Sequence, residues 1–226
     1  MSLVQPMLVA ALLVGGLGVA LLGTVKVPLA SRLRIDEARV GGLVSLFGFV
    51  LIPVILTAGF LSDLVGRQAV LVGGCGLMAA SLLLLARART YLWALASVLL
   101  FSAAWALLIN VANVLTPLAF PGGLAFATNL ANAVFGLGAF LTPLLVSPLV
   151  RRTSLAAALS ALGLLALTPA LLSLAVDFAA LSPAGAATCR NRWRPVSSGR
   201  ITPCRANSPA TVWSAVSRSS APPRDR

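Results

Sequence analysis

A short polar stretch separates two long apolar runs in the first third of the chain. Residues 59–71 read Gly-Phe-Leu-Ser-Asp-Leu-Val-Gly-Arg-Gln-Ala-Val-Leu. Asp63 and Arg67 stand four residues apart, accompanied by Gly59 and Gly66. Glycine permits the backbone conformations that a tight reversal needs, and charged side chains favour water over an apolar environment. The stretch therefore predicts a water-facing reversal between two apolar helices, which we call the hinge.

The composition of the whole chain indicates where those helices lie. Hydrophobic residues make up 59% of the chain and charged residues 10%, and the mean hydropathy is +0.99. Soluble domains contain about 25% charged residues, whereas a helix that crosses a bilayer needs about 20 predominantly apolar residues. The composition therefore predicts an integral membrane protein that crosses the cell membrane several times.

The inventory of reactive side chains argues against an enzyme. The chain has no histidine, which is the commonest metal ligand and a frequent general base. The only acidic residues are Asp36, Glu37, Asp63, Asp177 and Asp225. No catalytic residue, cofactor or metal site is expected.

The basic charge is concentrated near the carboxyl terminus. The net charge is +12, and residues 188–226 contain eight arginines against Asp225 alone. This segment has no periodic apolar pattern, which is typical of a disordered tail. Membrane lipid, through its anionic headgroups, is the expected partner, and nucleic acid is not. The tail is explained either by reading into another frame after the last span or by a natural disordered cytosolic tail.

Six apolar stretches are predicted to form membrane-spanning helices. The uncharged stretch 90–150 is too long for one span, and Pro121 and Gly122 mark its division. The predicted spans are 7–30, 40–60, 69–86, 91–117, 124–149 and 154–177. Short reversals between them predict an antiparallel, all-α bundle of six transmembrane helices in residues 1–187, followed by the tail.

Small residues recur inside the first and third predicted spans. Glycine lets two helix backbones approach closely in a membrane, where packing contributes to helix association. Close helix contacts are therefore predicted at Gly15, Gly16, Gly18, Gly23, Gly73, Gly74 and Gly76.

Four carboxamides lie within the fourth and fifth predicted spans. Asn110 and Asn113 are three residues apart, as are Asn129 and Asn132, so each pair shares one helix face. One interpretation is that these amides hold helices together by hydrogen bonds worth roughly 1 kcal/mol each. The other is that they line a polar path and bind a small polar solute.

The hinge resembles a loop of the major facilitator superfamily of transporters, between that family's second and third spans. The residues that match are Gly59, Leu61, Ser62, Asp63, Gly66 and Arg67, whereas Leu64 and Gln68 stand where the family usually has cations. The resemblance implies transport by alternating access, with Gly59, Asp63, Gly66 and Arg67 forming a gate. The alternative is a polar turn that only caps helices.

Residues 129–143 resemble the fifth-span signature of the fucose, glucose and galactose proton symporters within that superfamily. This resemblance implies that Asn129 and Asn132 contact a sugar. Ile109 and Thr24 stand where that branch carries acidic residues, so proton coupling is not expected.

The length of the chain bears on how it would work. Superfamily members form their solute cavity between two six-helix halves, and this chain supplies one half. The expected partner is a second copy of the chain or a separate second half. The opposing hypothesis is a non-transporting membrane scaffold or a non-functional fragment of a transporter.

Two features of the sequence predict opposite orientations of the helical bundle in the membrane. The resemblance places both termini and the hinge in the cytoplasm. The general excess of Lys and Arg in cytoplasmic loops favours the reverse, because most arginines of residues 1–187 fall in the other loops. The hinge signature is specific to position, so we take it as the guide.

Overall fold

A computed structural model describes residues 3–120, 123–176 and 178, and within these ranges the regular structure is entirely helical. The predicted tail, Asp177, and Pro121 with Gly122 lie outside the described residues. The helices are α1 (Val4–Thr24), α2 (Lys26–Leu33), α3 (Glu37–Val65), α4 (Arg67–Arg87), α5 (Tyr91–Ala119), α6 (Leu124–Arg152), α7 (Leu155–Leu165) and α8 (Thr168–Ser173).

Six of these segments are long and apolar enough to cross a membrane. They are α1, α3, α4, α5, α6 and the continuous stretch Leu155–Ser173 that contains α7 and α8. In a bilayer every backbone polar group needs an internal partner, so each apolar run becomes a helix. The predicted all-α bundle of six membrane-spanning helices is confirmed. The first crossing extends from α1 into the short helix α2 after an interruption at Val25.

Two side-chain amides identify which helix ends lie together. Gln5 Nε2, in the first turn of α1, donates to the carbonyl oxygen of Ala119 at the end of α5 (3.1 Å). Gln68 Nε2, in the first turn of α4, donates to the carbonyl oxygen of Ser173 at the end of α8 (3.0 Å). The last carbonyls of a helix lack intrahelical partners. The Gln5 bond supplies one for Ala119, while the Ser173 carbonyl also accepts from the N–H of Val176 (3.2 Å). We call this side of the bundle the hinge end.

The opposite side of the bundle holds the connections from α2 to α3, from α4 to α5 and from α6 to α7. Seven arginines lie in or beside these connections, and we call this side the arginine end. They are Arg32, Arg34, Arg39, Arg87, Arg89, Arg151 and Arg152.

Glycines bring α1 and α6 into backbone contact. A Cβ atom on Gly16 would overlap the carbonyl oxygen of Phe135, and one on Gly138 would overlap the carbonyl oxygen of Leu13. Thr142 Oγ1 donates to the carbonyl oxygen of Leu17 (3.2 Å) within the same contact. Only a residue without a side chain permits this approach.

The other predicted glycine contacts divide into two groups. A Cβ atom on Gly15, Gly18 or Gly74 would also meet atoms of a neighbouring helix closer than ordinary van der Waals contact. At Gly23, Gly73 and Gly76 a Cβ atom would meet nothing within 4 Å. The prediction is therefore confirmed at Gly15, Gly16, Gly18 and Gly74 and is wrong at the remaining three.

Aromatic rings join three helices across the glycines of α1. The Trp105 ring packs edge-on against Phe47 of α3 (centroids 6.0 Å apart) and Phe135 of α6 (6.2 Å). Its Nε1 donates to the carbonyl oxygen of Gly15 (2.7 Å). Because Trp105 is buried, this hydrogen bond satisfies an N–H that would be costly to leave unpaired. The rings form the centre of the bundle.

Two helices remain largely uncovered within the bundle. In their most apolar stretch only 17% of the residues of α3 and of α6 are buried, against 56–61% for α1, α4 and α5. The uncovered faces carry large apolar side chains, among them Phe49, Ile52, Leu56 and Phe60 on α3 and Phe126, Leu137, Phe140 and Leu144 on α6. These faces are available to contact lipid or a further protein.

Candidate functional site

A single residue turns the chain at the hinge. Gly66 alone separates α3 from α4, with φ of 92° and ψ of 150°, a conformation that is essentially restricted to glycine. Its N–H donates to the carbonyl oxygen of Ser62 (3.1 Å). Gly59, predicted as part of the same gate, lies inside α3 with open space around it. The turn therefore requires glycine at Gly66 and does not require it at Gly59.

The two hinge charges stand at helix ends that disfavour them. Asp63 lies in the last turn of α3 and Arg67 is the first residue of α4. A helix carries partial negative charge at its carboxyl end and partial positive charge at its amino end, so each placement is unfavourable by about 0.3–1 kcal/mol at low ionic strength. Helix capping therefore does not explain either charge.

Within the described part of the chain, neither Asp63 nor Arg67 has an oppositely charged partner that would offset the unfavourable interaction with its helix dipole. Asp63 is exposed, and Arg67 is partly buried. The Nη1 atom of Arg67 is buried and has no hydrogen-bond partner among the described residues. Asp63 is therefore available to contact groups outside the described bundle, whereas the Arg67 guanidinium is partly enclosed and incompletely hydrogen-bonded within it.

The four predicted amides differ in exposure. Asn113 on α5 and both Asn129 and Asn132 on α6 are exposed, whereas Asn110 is partly buried. The Oδ1 atom of Asn110 is buried and has no hydrogen-bond partner among the described residues. These amides do not act as the interhelical bonds of the first interpretation within the described bundle.

Two of the amides lie on the same side of their helices as Ile109 and Phe135, which together with Trp105 we call the apolar layer. Ile109 Cδ1 and Phe135 Cε2 both lie beside Gly15, 2.8 and 3.5 Å from where its Cβ atom would be. Asn113 follows Ile109 by four residues and Asn132 precedes Phe135 by three, so each amide shares the helix face of that apolar residue. Each lies about 5 Å nearer the hinge end. We call Asn113 and Asn132 the amide face.

The other two amides point in different directions. Asn110 directly follows Ile109, a rotation of about 100° around α5, and Asn129 lies six residues before Phe135, a rotation of about 120° around α6. One amide of each predicted pair, Asn113 and Asn132, therefore points more nearly in the direction of the apolar layer, and the other lies about 60° further around the same helix.

The amide face lies inside two of the segments that are long and apolar enough to cross a membrane. Asn113 precedes Ala119, at the hinge end, by six residues, or about 9 Å along α5. A bilayer core is about 30 Å thick, so an amide at this depth needs a protein group, water or solute to bond with. A carboxamide both donates and accepts hydrogen bonds, which suits it to hydroxyl groups.

Trp105 and Phe135 were not singled out in the sequence. Trp105 lies eight residues before Asn113 in an uncharged span. A tryptophan inside a span needs a partner for its N–H, and this requirement could have identified Trp105 from the sequence.

A separate crevice between α1, α4 and α7 is lined by apolar residues such as Val14, Met78 and Leu162. It offers no polar side chain to a polar solute.

A six-helix membrane bundle with a charged, glycine-turned hinge and carboxamides at membrane depth has the features of a membrane transporter. The sequence model of the Major Facilitator Superfamily matches residues 8–221, and the chain belongs to this family. The bundle has the six-helix architecture of one half of that family's fold, so the predicted fold class is confirmed. No curated protein matches the chain.

The range of residues matched by the family model, and the level of the match, decide which predictions it supports. The match covers the described bundle except its first residues, up to residue 7, and extends over most of the tail, to residue 221. It confirms the predicted superfamily and a multi-pass membrane transporter. It does not support the narrower resemblance to the fucose, glucose and galactose proton symporters.

Proposed function

We propose that this chain moves a small polar solute across the cell membrane by alternating access, with the amide face in contact with the solute. The observation that carries the proposal is the exposure of Asn113 and Asn132 at membrane depth. A carboxamide facing lipid loses its hydrogen bonds to water, so polar side chains at this depth usually face a wet cavity or a partner. A sugar is our first candidate, because its hydroxyl groups match the donors and acceptors of a carboxamide.

A second half is proposed to complete the cavity. The amide face is open in the described bundle, and the largely uncovered helices are α3 and α6. We propose that a second copy of the chain, or a separate second half, packs on these two helices. Such packing would enclose the amide face and remove large apolar side chains from lipid.

The hinge is proposed to be the gate. Asp63 and Arg67 stand against the dipoles of their helices, and their charges are not neutralised within the described bundle. An opposing partner that binds these charges in one conformation and releases them in another would make the hinge a two-state element. The unfavourable placement supports this function over a simple polar turn.

Uptake into vesicles tests the proposed transport. The purified full chain is reconstituted, and the entry of labelled hexoses and other small polar solutes is measured. We expect uptake of at least one solute, and we expect Asn132→Leu and Asn113→Leu to reduce it at least tenfold, because each removes a hydrogen-bonding group that the solute would meet.

Asn129→Leu is the comparison variant, since it makes the same chemical change on the same helix at a position about 60° further from the direction of the apolar layer. We expect it to retain uptake. Loss of uptake in Asn129→Leu alone would instead favour the sugar contact that the sequence resemblance assigned to Asn129. Absence of flux for every solute would favour the non-transporting scaffold or fragment.

A further inference from the structure

The arginine end has an unusual charge distribution. Its seven basic residues are all arginine, six of them exposed and Arg32 partly buried. Asp36 and Glu37 are the only acidic residues in these three connections. At the hinge end the described residues include one arginine, Arg67, at the start of α4. The described bundle is therefore strongly basic at one end.

Helix stability accounts for only part of this cluster. Five of the arginines stand where positive charge interacts favourably with a helix dipole. They are the C-cap residue of α2, Arg34, and those in the last turns of α2, α4 and α6, Arg32, Arg87, Arg151 and Arg152. Arg39 lies in the first turn of α3, where the dipole opposes it. Arg89 lies between α4 and α5. These two arginines need an explanation outside the helices.

Aromatic residues place this end at the depth of lipid headgroups. Tyr91 and Trp93 form the start of α5, directly after Arg89, and both are exposed (37% and 57%). Tyrosine and tryptophan concentrate at membrane interfaces, where an apolar ring and a polar group can both be accommodated. The guanidinium groups beside them are therefore at the level of the lipid phosphates.

We propose that the arginine end binds the headgroups of anionic phospholipids. A guanidinium group presents paired N–H donors that match two oxygens of a phosphate, a geometry that lysine lacks. Attraction to an anionic surface is expected to favour an anionic lipid by about fivefold for each arginine near the headgroups. Arg39 and Arg89 are assigned this function first, because the helix dipoles do not explain their positions.

Quenching of tryptophan by brominated lipids tests the proposal. Trp93 lies at the arginine end, while Trp105 is buried in the bundle. In a chain with Trp193→Phe and Trp213→Phe, Trp93 becomes the main exposed reporter of nearby acyl chains. The full chain is reconstituted with brominated phosphatidylglycerol or brominated phosphatidylcholine, and the exchange constant between the two lipids is obtained from the quenching.

We expect the exchange constant to favour phosphatidylglycerol and to fall toward one as salt screens the charges. Arg89→Gln should lower it up to fivefold, and Arg39→Gln with Arg89→Gln should lower it further. Arg67→Gln, which removes the same charge at the hinge end, should leave it unchanged. Vesicles with the same lipid in both leaflets make the result independent of the orientation of the bundle.

The proposal would be overturned if the two lipids quenched Trp93 equally. It would also be overturned by a preference that survives both arginine substitutions and high salt. Circular dichroism of each variant shows whether the bundle is still folded. This test needs no transport activity, so it stands apart from the proposed function.

Discussion

Individual residues at the hinge occupy positions where the helix dipoles or the backbone conformation are energetically unfavourable. Asp63 and Arg67 face unfavourable helix dipoles, and Gly66 has a backbone conformation that other residues adopt only under strain. Features that lower stability are retained more readily at sites that move or bind than elsewhere. Substitution of single residues separates the stability of the hinge from its function.

Neutralising Asp63 should stabilise the bundle and impair transport. Asp63→Asn removes a negative charge from the carboxyl end of α3, so we expect the free energy of unfolding to rise by about 0.3–1 kcal/mol at low ionic strength. Asp36→Asn is the matched control, because Asp36 stands at the amino end of the same helix, and its loss should lower stability. Thermal unfolding and vesicle uptake are measured together, and normal uptake by Asp63→Asn would favour the simple polar turn.

Two hinge glycines should respond oppositely to alanine. Gly66→Ala places a Cβ atom at φ of 92°, and we expect a loss of about 1–3 kcal/mol in the free energy of unfolding. Gly59 lies in the helical part of α3 with open space around it, so Gly59→Ala should raise stability by about 0.5–1 kcal/mol. Denaturant titration of both variants in one detergent checks this, and equal effects would contradict it.

At the scale of helices, the bundle depends on contacts between elements far apart in the sequence. The backbone contact between α1 and α6 joins Gly16 to the region of Phe135 and Gly138 to Leu13. In a membrane such close packing replaces much of the hydrophobic driving force that assembles soluble proteins. The contact also fixes the depth of Asn132 relative to α1.

Alanine on α6 should reveal how specific this contact is. Gly138→Ala would force α1 and α6 apart, and we expect a loss of about 1–3 kcal/mol in the free energy of unfolding. Gly136→Ala, two residues away on the same helix, meets nothing within 4 Å and should be neutral or stabilising. The midpoints of thermal unfolding are compared, and similar losses in both variants would contradict the observed packing.

At the scale of the whole molecule, the described bundle has covered and uncovered sides. Residues of α1, α4 and α5 are mostly buried, whereas α3 and α6 present apolar side chains outward and the amide face is open. The proposed second half would supply the further protein surface that covers these helices. Self-association is the simplest source of that surface, because it requires no other polypeptide.

Cross-linking should show which side of the bundle meets a second copy. In a chain with Cys75, Cys189 and Cys204 replaced, Phe140→Cys on α6 is expected to form cross-linked dimers in membranes. Leu171→Cys on α8 is the matched control, since both side chains are 66% exposed, and it should remain monomeric. Dimers at neither position would favour a separate second half, and dimers at both would indicate non-specific collision.

Much of the fold follows from local sequence. Uncharged runs predict the spans, because a bilayer leaves an apolar segment no stable alternative to a helix. Residues 90–150 divide where proline and glycine interrupt the run, and the hinge glycine at position 66 predicts the reversal between α3 and α4. These features depend on residues close together in the chain, so no knowledge of the packing was needed.

The amino-acid sequence by itself determined the six helices, the charged hinge and the presence of amides in the fourth and fifth spans. Only the tertiary structure decided that Gly16 and Gly138 make close contacts while Gly73 and Gly76 do not, and that Asn113 and Asn132 align with the apolar layer of Trp105, Ile109 and Phe135. The physical reason is that spacing along one helix defines its faces. Which face meets a neighbour, and at what depth, depends on how side chains from distant segments interlock.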